Sequence, residues 1–215
     1  MKKIILLALG ALLLGSCCNE ARLRTGDLLF VGIPIDYSLD SSEMASGIAE
    51  ATGSGKVNFI HVSILEVEKD TTWIIDATIK RGVARYPLSD YLEDFRLKDG
   101  SLPVLEVMRP DGKASEMRRY VENAKRFIGE PYDVHFLPDN GHKYCSELVY
   151  DSYITEKGEH LFSAAPMNFL DSEGNMPVYW TQLFRLLGEE VPQGIPGTNP
   201  QAMRTEPILR LLEQL

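Results

Sequence analysis

Phe59-Ile60-His61-Val62-Ser63-Ile64-Leu65-Glu66-Val67, then Glu68-Lys69-Asp70-Thr71, then Thr72-Trp73-Ile74-Ile75-Asp76-Ala77-Thr78-Ile79, reads as two β-branched runs joined by a charged turn. That is the pattern of a β-hairpin. If the turn leaves Val67 opposite Thr72, Ser63 comes to face Asp76 and His61 to face Thr78. Side chains alternate between the faces of a strand, so His61 and Asp76 share one face, a diagonal step apart. A slip of one residue would turn Asp76 away. An imidazole among apolar neighbours needs a hydrogen-bond partner. A carboxylate in that place would hold the ring in one tautomer and leave the other nitrogen free for chemistry. A solvent-facing His-Asp pair without function is the alternative on spacing alone.

The flanking segments supply the rest of an α+β chain. Thr25-Gly26-Asp27 forms a turn before Leu28-Leu29-Phe30-Val31, an apolar run suited to a buried strand. Residues 41–52 read as a short helix opened by serines and closed before Gly53. Strands follow at 82–86 and 102–108, with a short helix at 89–95 between them. Met117, Val121, Ala124 and Ile128 recur at helical spacing over 115–128, which ends at Gly129. Residues 132–143 are loop-like, and 145–153 are helical in composition, placing Cys145 at a helix N-terminus. Beyond Pro166 the chain is broken by prolines and glycines around one short helix at 180–187.

Cysteine attacks carbonyls only as the thiolate, and a helix N-terminus or a neighbouring imidazolium favours that form. Cys145, within Tyr144-Cys145-Ser146-Glu147-Leu148-Val149, has the first by position; His61 would supply the second. A free cysteine packed as a small hydrophobe is the competing account. His135 and His142 lie nearer in sequence and are rival bases, but in a loop containing Gly, Pro and Asn, where orientation is harder to hold. His160 sits among charges and reads as surface. Three cysteines and four scattered histidines show no zinc-type spacing, so neither a metal nor another cofactor is expected.

The chain opens Met1-Lys2-Lys3, then an apolar run from Ile4 to Leu14, then Gly15-Ser16-Cys17-Cys18. The run is too short to span a bilayer, which takes about 20 residues. It reads as a secretory signal over 1–16. Leu14-Gly15-Ser16-Cys17 resembles the bacterial lipobox, which implies a lipid on Cys17, a tether over 17–24, and a membrane-anchored location in the cell envelope. One domain is expected over 25–215. Losing the signal removes two lysines and moves the formal charge from −9 to −11. Such an acidic chain is not a nucleic-acid binder.

Gly26-Asp27-Leu28-Leu29-Phe30, His61-Val62-Ser63-Ile64, Ile75-Asp76-Ala77 with Gly82-Val83, Tyr132-Asp133 and the segment around Cys145 occur in one order. That order resembles the circularly permuted papain-like amidases of the YiiX and YaeF kind, relatives of the NlpC-type cell-wall peptidases. Trp180, Pro192, Gly194, Gly197 and Asn199-Pro200 extend the resemblance into the tail. It implies a permuted papain-like fold: an antiparallel sheet or half-barrel packed on helices, with the nucleophile at a helix N-terminus. By position it makes Cys145 the nucleophile, His61 the base and Asp76 the orienting acid, where the family more often has glutamate. Tyr132, Tyr144 and His142 are candidates for oxyanion or substrate contacts. The expected activity is amide hydrolysis of cell-wall peptides through a thioester. A lipid-linked amide as substrate, hydrolysed or transferred, and a non-catalytic binding lipoprotein on the same fold are the alternatives.

Overall fold

The computed structural model describes residues 23–39, 43–53 and 55–214. The signal, Cys17 and most of the tether fall outside them. Strands β1 (Leu28–Pro34), β2 (Val57–Glu68), β3 (Thr71–Thr78), β4 (Gly82–Pro87), β5 (Val104–Pro110) and β8 (Leu209–Gln214) form one sheet in the order β4-β3-β2-β1-β5-β8. All its pairings are antiparallel. The hairpin has the expected register, with Val67 opposite Thr72 and Ile64 opposite Ile75. Two two-residue strands, β6 (Ala165–Pro166) and β7 (Pro196–Gly197), pair separately.

Alternation gives the sheet two apolar faces. Leu28, Phe30, Val62, Ile64, Ile75 and Val83 pack with the helices α3 (Ala114–Lys125) and α4 (Cys145–Ser152), through Val121, Ala124, Leu148 and Val149. Leu29, Val31, Leu65, Ile74, Tyr86 and Leu105 face the other way and are covered by Tyr91, Leu88 and Leu92 of α2 (Leu88–Asp94). A sheet buried on both sides explains why its strands read as nearly unbroken apolar runs. Three more helices, α1 (Met44–Thr52), α5 (Val178–Leu187) and α6 (Pro200–Arg204), complete the described chain.

Several boundaries differ from expectation. Helix α1 starts at Met44 with Glu43 as its N-cap, and Ser41 and Ser42 lie outside the described residues. Helix α3 ends at Lys125, before Ile128, because the chain then turns so that the N–H of Gly129 reaches the carbonyl of Val83. Strand β5 begins two residues later than expected.

Asp27, 1 % exposed, ties the start of β1 to β5 through a two-pronged ion pair. Arg109 Nε donates to Oδ1 at 2.6 Å and Nη2 to Oδ2 at 2.7 Å. Removing one partner of a buried pair leaves the other charge uncompensated, at a cost of about 3 kcal/mol or more. Arg109→Met is expected to destabilise the fold by that amount; urea unfolding should show a lower midpoint with an unchanged slope.

Candidate active site

Cys145 is the first residue of α4, where unpaired backbone N–H groups and the helix dipole favour an anion. The helix is well anchored. Tyr153, just past its end, donates from Oη to the carbonyl of Gly26 at 3.1 Å, and buried Lys143 reaches Asp151 at 2.9 Å and Glu147 at 3.4 Å. Glu147 also accepts from the N–H of Tyr144 at 3.4 Å. Burial, partly offset by Lys143, raises the Glu147 carboxyl to a pKa of about 7.

The imidazole comes from the hairpin. His61 Nε2 lies 2.7 Å from Asp76 Oδ1, with both side chains buried. Asp76 is 0 % exposed, and its second oxygen accepts from Tyr86 Oη at 3.0 Å. The ring packs at 4.7 Å from Phe95 and 6.3 Å from Tyr91, centroid to centroid. With Nε2 engaged by the carboxylate, Nδ1 is the nitrogen left for the hydrogen bond between His61 and Cys145. Burial alone would lower the imidazole pKa. The charge of Asp76, then that of Cys145, together with the hydrogen bonds to both, outweighs it and holds the pKa at about 10. The ring is therefore an imidazolium at neutral pH, the state that stabilises a thiolate beside it.

The other candidates divide. Tyr132 and Tyr144 both line a cleft that opens on Cys145. Among the described residues Tyr132 Oη meets the thioether of Met44 at 3.4 Å, a weak acceptor. Burial and the neighbouring Cys145 raise its pKa, so it remains a neutral donor. Tyr144 Oη is more committed: it accepts from the N–H of Thr198 at 3.1 Å and approaches Met167 Sδ at 3.8 Å. His142 and His135 stand 6.5 Å apart outside that cleft, and His135 Nδ1 pairs with Glu189 at 2.8 Å. His160 stacks on Tyr150 at 3.8 Å and is exposed.

Tyr86, Tyr91 and Phe95, which hold the acid and the imidazole, were not legible as site residues. The clearest available signal was the pairing of β4 with β3. The tail supplies the far wall of the cleft with Met167, Phe169 and Trp180. Trp180 Nε1 donates to the carbonyl of Gly47 at 3.1 Å. A Cβ at Gly47 would stand 3.0 Å from the indole, so a larger residue there would have to push the ring aside.

An α+β fold with a cysteine at a helix N-terminus, beside a strand histidine that pairs with a buried carboxylate, has the arrangement of a papain-like fold. Here the histidine strand precedes the cysteine helix. The chain belongs to the permuted papain-like amidase enzymes of the YaeF/YiiX kind, the C92 peptidase family, whose model matches residues 22–213. It is 24% identical to the Escherichia coli K12 protein YiiX over 189 residues, 86% of this chain and 84% of that protein. The crystal structure of YiiX from Escherichia coli O157:H7, described as a metalloprotein, superposes with a TM-score of 0.68 at 23% identity, covering 89% of this chain and 97% of that one. That likeness bears on the fold.

Proposed function

We propose that this chain is a lipid-anchored, exported cysteine amidase that hydrolyses amide bonds of cell-envelope peptides through a thioester on Cys145. The observation that supports it most is the buried line of Tyr86, Asp76, His61 and Cys145. The thiolate attacks the carbonyl carbon, and the backbone N–H of Cys145 with Tyr132 Oη stabilises the oxyanion. The C–N bond then breaks as His61 gives its Nδ1 proton to the departing amine. Water, activated by the now neutral ring, cleaves the thioester and restores the ion pair.

Because the Escherichia coli neighbour is described as a metalloprotein, a metal at this site needs testing against the residues present. Both oxygens of Asp76 are engaged, by His61 and by Tyr86, which leaves Cys145 and one ring nitrogen. Among the described residues no group of three or more His, Cys, Asp or Glu could hold a metal ion. Two donors do not make the set that a bound metal needs.

Incubation of the mature domain with a panel of muropeptides, read by mass spectrometry, is expected to give stem-peptide fragments that Cys145→Ala does not give. No cleavage across the panel would remove the envelope-peptide assignment.

A further inference from the structure

The cleft at Cys145 has a definite orientation relative to the reaction. Its walls include Cys145 and Ser146 but none of His61, Asp76, Tyr86, Tyr91 or Phe95. It therefore lies on the flank of the sulfur turned away from the imidazole. The departing amine must sit where His61 can protonate it, so the acyl half of the substrate is the half that meets this cleft.

Its chemistry is equally selective. Ile48, Tyr132, Phe136, Met167, Phe169 and Trp180 give the wall its large apolar and aromatic groups, and apart from Cys145 itself no lining side chain can carry a charge near neutral pH. A carboxylate or ammonium entering it would lose its water without gaining a counter-ion. The interior open to water-sized groups is about 40 Å³. That is space for roughly three water molecules, which suits a short branched aliphatic side chain.

One wall is held in an unusual conformation. Phe136 has φ of +54°, a region that bulky residues rarely adopt and that is sustained only where the surroundings impose it. The surroundings are visible. Buried Asp133 accepts from the N–H of His135 at 2.8 Å and from that of Leu137 at 2.9 Å, clamping the backbone on both sides. The ring itself is packed between Tyr144 and Trp180, each at 5.3 Å.

We propose that this cleft is the acyl-side subsite, that it takes an uncharged aliphatic group of three or four carbons, and that Phe136 sets that limit. The assignment rests on the thiol chemistry proposed above. It places an aliphatic residue, not an acidic or diamino one, before the bond that is cut.

Chloromethyl ketones R–CO–CH2Cl test it, with R methyl, isobutyl, nonyl or 2-carboxyethyl. The Cys145 thiolate forms a C–S bond while the C–Cl bond breaks and chloride leaves with its electron pair. Rates are divided by those of glutathione with the same reagent. The isobutyl reagent is expected to exceed each of the other three by about tenfold. Phe136→Ala should raise the nonyl rate relative to isobutyl by a similar factor. Ile48→Ala, which enlarges the same cleft at a less buried position, carries the test of size if the first variant does not fold. Fast labelling with no selectivity among R groups overturns the subsite alone. An unchanged ranking in folded Phe136→Ala overturns the role of that ring. Labelling no faster than glutathione with every reagent overturns the thiol chemistry, and the subsite with it.

Discussion

Cys145→Ala is expected to lower kcat/KM for any amide the protein cleaves by about 10⁴-fold or more, because the step it removes has no substitute in the site. Cys145 is 3 % exposed, and alanine deletes one sulfur without adding bulk, so folding should survive. Circular dichroism and the unfolding midpoint check that it does. A second consequence separates a catalytic thiol from a packed one. The sulfur's charge is among the groups that hold the proton on His61, so its removal should lower the imidazole pKa from about 10, which NMR titration of the ring reads directly. Retained turnover in the alanine variant would eliminate Cys145 as nucleophile.

Asp76→Asn should cost about 10² to 10⁴ in kcat/KM, although the side chain keeps its shape. Tyr86 Oη donates to Oδ2 in the native protein, so an asparagine would turn its carbonyl to Tyr86 and its NH2 to His61. Nε2 would then have to accept, and the ring proton would move to Nδ1, facing the sulfur in the wrong tautomer. The pH profile should change as well. In the native protein the imidazolium persists to about pH 10, so the alkaline limb lies there; without the carboxylate's charge it moves down toward the ordinary value of 6.5. A raised folded-state pKa gives stability that is complete below pH 6.5 and lost as pH climbs through about 10, and Asp76→Asn should flatten that decline. An alkaline limb unmoved by the substitution would show that Asp76 does not hold the proton on the ring.

The residues that lie on regular elements were the readable ones. Val67 and Thr72 bound a short charged turn, which set the register and so put Asp76 within reach of His61. Cys145 at the first position of α4 followed from composition alone. Strand β8 was missed because Leu-Arg-Leu-Leu-Glu-Gln has the propensities of a helix; its pairing with β5 overrides them. The aromatic wall of the cleft was unreadable for a different reason. Met167, Phe169 and Trp180 come from a proline-broken tail without periodicity, and only tertiary packing brings them to Cys145.

Glu147 adds a spectator to any kinetic titration. With its carboxyl near 7, two residues along the helix that begins at Cys145, Glu147 changes charge close to neutrality and has no hydrogen bond to Cys145 or His61 among the described residues. An inflection there would mimic an ordinary imidazole and invite assignment to His61. Glu147→Gln erases the spectator and leaves the titration of His61 to be seen on its own.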